Sequence, residues 1–315
     1  MSSRLAFTAS YAKRWPARGR TSSGIQMPID RPSLEAVIKA SGGAQQPDDQ
    51  VATLLAKLDL LEDRGRYGGL LRSIRASNNK WNFLASLLEV TFAHQFETAG
   101  VRLDYEVRQE PEQPGTIDFR MQASTGDVVF LELRLVQQDE KTTADITQQM
   151  AAKQDYAVAM DGEGERDAVV RLQGTILQKV QRKDGTPAKF VHAGAGVVNI
   201  VVVGVSDLLL GTVDAWDCVL AACGDSAVPA ECRRGVVGLF QTPNAGDSPE
   251  VQARVDSFAH FRATIHGVLF LFRAAGAGVL DYRLEQVMVW NQNLVTEDRA
   301  KALMTEISSV LPARK

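Results

Sequence analysis

The chain has 315 residues, of which 45% are hydrophobic and 23% are charged, and this composition excludes a disordered or fibrous chain. The formal net charge of -3 supplies no global positive field, so any binding of nucleic acid would need a local basic patch. The longest apolar run, residues 197–205, is shorter than the roughly 18 residues of a membrane-spanning helix. We therefore expect no membrane partner.

The cysteine pattern indicates a reducing compartment. The three cysteines, Cys218, Cys223 and Cys232, are odd in number and crowded into one segment, unlike those of a secreted disulfide scaffold. They also lack the paired spacing of a structural zinc site, so we expect free thiols. A cytoplasmic location is the expectation that follows.

The N-terminus is basic and shows no sustained periodicity. It carries five Lys or Arg residues before its first acid, Asp30, and has no continuous apolar segment of the kind that secretory signals contain. We interpret residues 1–31 as a disordered basic tail. A transit peptide, or a start codon assigned too far upstream, are the alternatives.

Residues 32–79 are predicted to form a helical extension. A short helix begins at Pro32 and Ser33 and runs through Ile38. A second helix follows Pro47, because apolar residues recur there at helical spacing at positions 51, 54, 55, 58 and 61. Glycines in residues 65–69 are expected to end the pair.

Residues 80–205 are predicted to form the core. Asn78 or Asn79 caps a helix over residues 80–98, which Gly100 ends. Alternating apolar residues then predict three antiparallel strands at residues 101–107, 116–121 and 128–136. A helical region at residues 143–182 leads to a β-branched run at residues 197–205, which is typical of a strand covered on both faces.

Residues 206–315 give a less regular pattern. The expected elements are a short helix near residues 217–222, strands at residues 234–240, 265–272 and 284–289, a loop at residues 242–249, and a closing helix at residues 297–310. These residues form either an α+β extension of the same sheet or a small second domain. The sequence leaves both possibilities open.

Two predicted neighbouring strands carry acids among apolar residues. Glu132 and Arg134 share one face of their strand because side chains at i and i+2 project to the same side. Asp118 lies on the preceding strand, so a tight turn brings the two carboxylates together. Converging carboxylates repel each other unless a cation lies between them, and oxygen ligands suit Mg²⁺ or Mn²⁺. An internal salt bridge with Arg134 is the alternative.

Glu89 is a third candidate acid. Its helical neighbours Ala85, Phe92 and Phe96 place it on or beside the apolar face of the helix. It either reaches the same metal site or is a solvated residue at the helix edge.

The order of these residues resembles that of the PD-(D/E)XK nuclease family, also called the restriction-endonuclease-like fold. The resemblance implies an α/β protein with an α-β-β-β-α-β core and a mixed sheet. Its implied activity is metal-dependent phosphodiester hydrolysis of nucleic acid, DNA more than RNA. By this resemblance Asp118, Glu132 and the backbone carbonyl of Leu133 bind the metal, and Glu89 matches the acid of the first helix.

The chain departs from the family pattern at two positions. Ile117 replaces the proline, and Arg134 replaces the lysine. Arginine binds phosphate but stays protonated, so it is a poor general base. Either Arg134 acts electrostatically, or a lysine from elsewhere substitutes, or the chain is a catalytically inactive nuclease fold that binds nucleic acid or protein. The candidate substitutes are Lys153, Lys179 and Lys183.

Further contacts to substrate are expected from the region after the third strand. Gln148 or Gln149 is a candidate for orienting backbone phosphates, by analogy with some branches of the family. Lys179, Lys183 and their basic neighbours Arg182 and Lys189 either line a groove for nucleic acid or form a solvated helix end.

Overall fold

The computed structural model describes residues 29–42, 46–112, 115–137, 148–149, 162–182, 186–190, 193–205, 213–274 and 278–314. Most of the predicted basic tail therefore lies outside the described residues. Folded structure begins by Ile29, which is 6% exposed and belongs to the core. No helix in the described part of the chain is long and apolar enough to cross a membrane.

Three short helices precede the core: α1 (Arg31–Ala40), α2 (Asp48–Asp63) and α3 (Gly68–Arg75). The first two confirm the predicted helical pair. The third was not predicted, because Gly68 and Gly69 have low helix propensity and indicate a break. Burial of Leu70, Leu71 and Ile74 against the core stabilises α3 despite its glycines.

The long helix α4 (Lys80–Thr98) has the predicted bounds. The Asn79 side chain caps it by accepting a hydrogen bond from the Asn82 backbone N–H at 2.9 Å. Gly100 follows its end with φ +80°, a conformation that glycine adopts readily. The helix packs one face against the sheet and another against α2 and α3, so most of its apolar side chains are buried.

The sheet begins with three antiparallel strands, β1 (Asp104–Val107), β2 (Ile117–Gln122) and β3 (Val128–Leu135), as predicted. Helix α5 (Gly162–Val180) leads into β4 (Val197–Gly204), which pairs parallel with β3. The strand β4 is buried on both faces, which confirms the prediction from its β-branched run.

The C-terminal region extends the same sheet. Strand β5 (Gly267–Arg273) pairs parallel with β4, and β6 (Leu284–Trp290) pairs antiparallel with β5, giving a six-stranded mixed sheet in the order β1 to β6. The helices of this region are α6 (Ala215–Cys223), α7 (Pro249–Ser257), α8 (Ala259–Thr264) and α9 (Glu297–Val310). Of these, α7 and α8 were not predicted.

The predicted strand at residues 234–240 is wrong. The Asp225 side chain accepts hydrogen bonds from the backbone N–H groups of three consecutive residues, which are Arg234, Gly235 and Val236. A carboxylate that captures successive N–H groups holds the backbone in a loop and removes the donors of a strand ladder. The alternating apolar residues of this segment therefore pack as a loop on the core.

The sheet separates two hydrophobic cores. Helices α1 to α4 and α9 cover one face, where Leu131, Leu133 and Leu135 of β3 are buried. Helices α5, α6 and α8 cover the other face, which Phe130 of β3 joins. Because side chains alternate along a strand, Glu132 and Arg134 belong to the α5 side.

The loop at residues 234–240 approaches the end of α6 closely at Gly238. The backbone N–H groups of Leu239 and Phe240 donate to the carbonyls of Ala221 and Ala222 at the end of α6. A Cβ atom at position 238 would overlap the backbone of Cys223. We expect Gly238→Ala to lower the free energy of unfolding by about 3 kcal/mol in urea denaturation.

Gly246→Ala is the matched control, because a Cβ atom there meets no atom within 4 Å. Its expected effect is within about 0.5 kcal/mol of zero. Equal stabilities of the two variants would contradict the close approach at Gly238.

Candidate active site

The pairing of β2 with β3 ends where the candidate acids begin. The ladder extends from Gln122 and Val128 to Phe119 and Leu131, whereas β1 follows β2 as far as Ile117. Beyond Leu131 the Asp118 carboxylate replaces the backbone acceptor of the ladder, because its Oδ2 accepts a hydrogen bond from the Leu133 backbone N–H at 2.7 Å. The N–H and C=O groups of one strand residue point to the same side, so the Leu133 carbonyl also faces this gap.

Glu132 is fully buried, with 0% of its surface exposed. Its Oε1 accepts hydrogen bonds from the ammonium groups of Lys179 and Lys189, each at 2.5 Å. Lys179 lies on the last turn of α5, and Lys189 lies in the segment between α5 and β4. The other carboxylate oxygen of Glu132, Oε2, has no hydrogen-bond partner among the described residues. One oxygen is thus paired with two cations, and the other is buried without a partner in the described part of the chain.

Asp118 is half-buried beside Glu132. Burial and, to a smaller extent, the Glu132 charge raise the pKa of its carboxyl to about 6, against the opposing effects of Lys179, Lys189 and the Leu133 N–H. At neutral pH Asp118 is therefore mainly ionised, but it takes up a proton in mild acid.

Glu89 projects from α4 toward the same acids. It is half-buried, and its Oε2 accepts a hydrogen bond from the Tyr105 hydroxyl at 3.0 Å. Burial and the charge of Asp118 raise the pKa of Glu89 to about 8, against the hydrogen bond from Tyr105. The structure therefore brings Glu89 together with Asp118 and Glu132, and these three side chains form an acidic cluster. At neutral pH most of Glu89 is protonated.

A cleft of about 100 Å³ opens beside the cluster. Residues of α4, the end of β3 and the end of α5 line it, and Glu89, Leu133 and Lys179 are among them. Arg134 also lines the cleft, and its Nε is buried without an acceptor among the described residues. No ion pair joins Arg134 to Asp118 or Glu132 in the described structure, so the alternative of a salt bridge between them is wrong.

The predicted substrate-binding residues have different outcomes. Lys179, named among three substitutes for the motif lysine, contacts Glu132, whereas Lys153 and Lys183 lie outside the described residues. Gln149 is half-buried and Gln148 is exposed. Lys189 was predicted only as part of a basic groove. Its contact with Glu132 follows from the path of the segment before β4, for which the sequence offers no periodic signal.

The acidic cluster offers only oxygen atoms as ligands for a metal ion. In the described part of the chain no group of three or more His, Cys, Asp and Glu side chains is arranged to hold a metal. The oxygens available are those of Asp118, Oε2 of Glu132 and the Leu133 carbonyl. Mg²⁺ binds proteins through one or two carboxylates and keeps several waters, so this set fits Mg²⁺ or Mn²⁺ better than a soft metal.

Comparison with models of protein families, with curated proteins and with solved structures finds no match for this chain. The geometry of the acidic cluster is therefore the basis for assigning a function.

The two lysines on Glu132 should compensate for each other. We expect Lys179→Met or Lys189→Met alone to lower the free energy of unfolding by about 1–2 kcal/mol, because the remaining ammonium still neutralises the carboxylate. The double variant leaves a buried carboxylate without a partner and should cost on the order of 3–5 kcal/mol. A double-mutant cycle in urea measures the coupling.

Lys301→Met is the control for this cycle, because Lys301 and Glu297 form an exposed pair of similar length, 2.6 Å. We expect no measurable change in stability. Additive effects of the two site lysines would contradict their shared role.

Glu89 should make stability depend on pH. Its raised pKa means that the folded state favours the protonated carboxyl, so the stabilisation is complete below the ordinary pKa near 4.5 and is lost as the pH rises through about 8. Glu89→Gln cannot ionise. We expect the unfolding free energy of Glu89→Gln, relative to that of the wild type, to increase by at least about 1 kcal/mol from pH 5 to pH 9.

Glu97→Gln, on the same helix, is the matched control. Burial raises the pKa of Glu97, but hydrogen bonds from Tyr67, Leu103 and Arg66 lower it below its ordinary value. The cost of Glu97→Gln should therefore be constant between pH 6 and pH 9. A Glu89→Gln profile parallel to that of the wild type would show that Glu89 is not perturbed.

Proposed function

We propose that the protein is a metal-dependent phosphodiesterase that acts on nucleic acid, DNA more than RNA, through a site of the PD-(D/E)XK type. One observation carries the proposal. Asp118, Glu132 and the backbone of Leu133 converge where β2 and β3 separate, and one buried oxygen of Glu132 has no partner within the described part of the chain. A buried carboxylate oxygen without a partner is costly unless a ligand binds it.

The order of elements supports the same proposal. Helix α4 precedes three antiparallel strands, and α5 connects them to a strand that pairs parallel with the third. This order is that of the restriction-endonuclease-like core, α-β-β-β-α-β. Helices α1 to α3 are then an extension before the core, and β5 and β6 widen its sheet.

The metal ligands would be Asp118, Oε2 of Glu132 and the carbonyl of Leu133. A bound Mg²⁺ or Mn²⁺ lowers the pKa of a coordinated water and neutralises charge that develops on the phosphoryl group. The Leu133 N–H fixes the orientation of the Asp118 carboxylate, because it occupies Oδ2 and leaves Oδ1 for other partners.

Lys179 supplies the ammonium that the motif lysine provides in the family. It reaches Glu132 from α5 instead of from the strand, and its ammonium group donates to Oε1 of that carboxylate at 2.5 Å. It also lines the cleft, where it can donate to a phosphoryl oxygen. Arg134 lines the same cleft, and its Nε has no acceptor among the residues that the structure describes, which suits its guanidinium to bind a phosphate.

A second candidate function is binding of nucleic acid without hydrolysis. Because most of Glu89 is protonated at neutral pH, the cations Lys179, Lys189 and Arg134 already outnumber the two remaining acids, Asp118 and Glu132. Glu132 is also fully buried, so a metal ion would have to displace surrounding groups to reach it. Both observations favour a nuclease fold that has lost its chemistry.

The test is cleavage of single- and double-stranded DNA and of RNA with Mg²⁺ or Mn²⁺. We expect Asp118→Asn and Glu132→Gln each to reduce the cleavage rate at least about 100-fold, because each removes a negative ligand. Chelation of the metal should abolish cleavage by the wild type. Thermal unfolding of each variant checks that the fold is retained.

Asp127→Asn is the matched control. Asp127 precedes β3 at its opposite end and is paired with Arg299 at 2.8 Å, so its loss affects stability without touching the cluster. Its cleavage rate should stay within about 3-fold of the wild type. If the wild type cleaves no substrate but binds DNA equally with and without metal, the second candidate replaces the first.

A further inference from the structure

We infer that the cleft beside the acidic cluster holds one unpaired nucleobase of the substrate, so that single-stranded or frayed nucleic acid is cleaved in preference to duplex. This inference rests on the proposed function and adds the class of substrate. It follows from the position, the lining and the polar groups of the cleft.

The position of the cleft ties its occupant to the scissile phosphate. Glu89 of the acidic cluster lies in the cleft wall. Leu133 and Lys179 also line the cleft, and they donate hydrogen bonds to Asp118 and Glu132, respectively. A group that enters the cleft while a phosphate lies at Lys179 must therefore be close to that phosphate along the chain. In a nucleic acid, the base of an adjoining nucleotide is such a group.

The lining of the cleft combines apolar and polar surface, as the face and the edge of a planar base do. Ala85 and Leu88 of α4 and Leu133 and Leu135 of β3 supply its aliphatic part. A hydrated cation or a phosphate gains nothing from aliphatic walls, whereas the face of a nucleobase is stabilised when it leaves water. The volume of about 100 Å³ corresponds to several water molecules, which is comparable with a base of eight to ten heavy atoms.

The polar groups at the cleft can bind the edge of a base. Arg134 has a buried Nε without an acceptor among the described residues, and Gln137 is exposed at the rim. Guanidinium and amide groups are the side chains that most often pair with base edges. An unsatisfied buried donor next to an apolar slot is what recognition of a planar, hydrogen-bonding ligand requires.

A base in a duplex cannot occupy this cleft without leaving its stack. Extrusion of a paired base costs a few kcal/mol, and this cost is absent in a single strand. We therefore expect the wild type to cleave single-stranded DNA at least about 10-fold faster than the same sequence in a duplex.

The decisive experiment scans a single-stranded oligonucleotide with one abasic tetrahydrofuran site at successive positions, with Mg²⁺ or Mn²⁺ present. Cleavage of the phosphate next to the abasic site should fall at least about 10-fold relative to the same phosphate in the unmodified strand. Ala85→Leu should reduce cleavage of the unmodified strand to the rate at the abasic site, because the larger side chain fills the cleft.

Asn82→Leu is the matched control, since it adds the same side chain to an exposed position of α4. Its abasic scan should equal that of the wild type. Equal cleavage of abasic and unmodified strands by the wild type would overturn this inference and leave the proposed function intact. Absence of metal-dependent cleavage of every strand would instead overturn the proposed function, and the inference with it.

Discussion

The carboxylate of Glu132 is buried in the middle of a sheet, and the surrounding structure has to neutralise it. A buried unpaired carboxylate costs several kcal/mol, so the chain supplies two ammonium groups from different segments. Lys179 and Lys189 each reach Oε1, which connects the end of α5 and the segment before β4 to the third strand. The parallel pairing of β3 with β4 brings this segment over the same face. The Glu132 carboxylate thus holds two separate segments against the third strand at the centre of the site.

The gap between β2 and β3 depends on a second carboxylate. Asp118 accepts the Leu133 N–H where the ladder would otherwise continue, so the strands separate without leaving that donor unsatisfied. The Leu133 carbonyl faces the same gap, because the N–H and C=O groups of one strand residue point to the same side. The gap therefore holds the Asp118 carboxylate and a backbone oxygen beside Glu132. Tyr105, from the neighbouring strand β1, holds Glu89 near the gap from the other face.

Local patterns predict those parts of the site that depend on regular elements. Alternation places Asp118 and Glu132 on adjacent strands, and helical spacing places Glu89 beside the apolar face of α4. The contact of Lys189 is not predictable in this way, because it depends on the path of an irregular segment over the sheet. The same limit explains residues 234–240, where an apolar pattern indicates a strand but hydrogen bonds to Asp225 form a loop.

Under the proposed function, Lys179 takes the place of the motif lysine, so the ammonium reaches the site from α5 and not from the strand. In the described part of the chain, Lys179, Lys189 and Arg134 equal Glu89, Asp118 and Glu132 in number, so a divalent cation meets little net negative charge there in the free protein. At neutral pH the protonation of Glu89 lowers this attraction further. A phosphodiester bound at Lys179 and Arg134 would add the negative charge that the cation lacks. Under the proposed function, metal affinity should therefore depend on bound nucleic acid, because the substrate completes the charge that the protein alone does not supply.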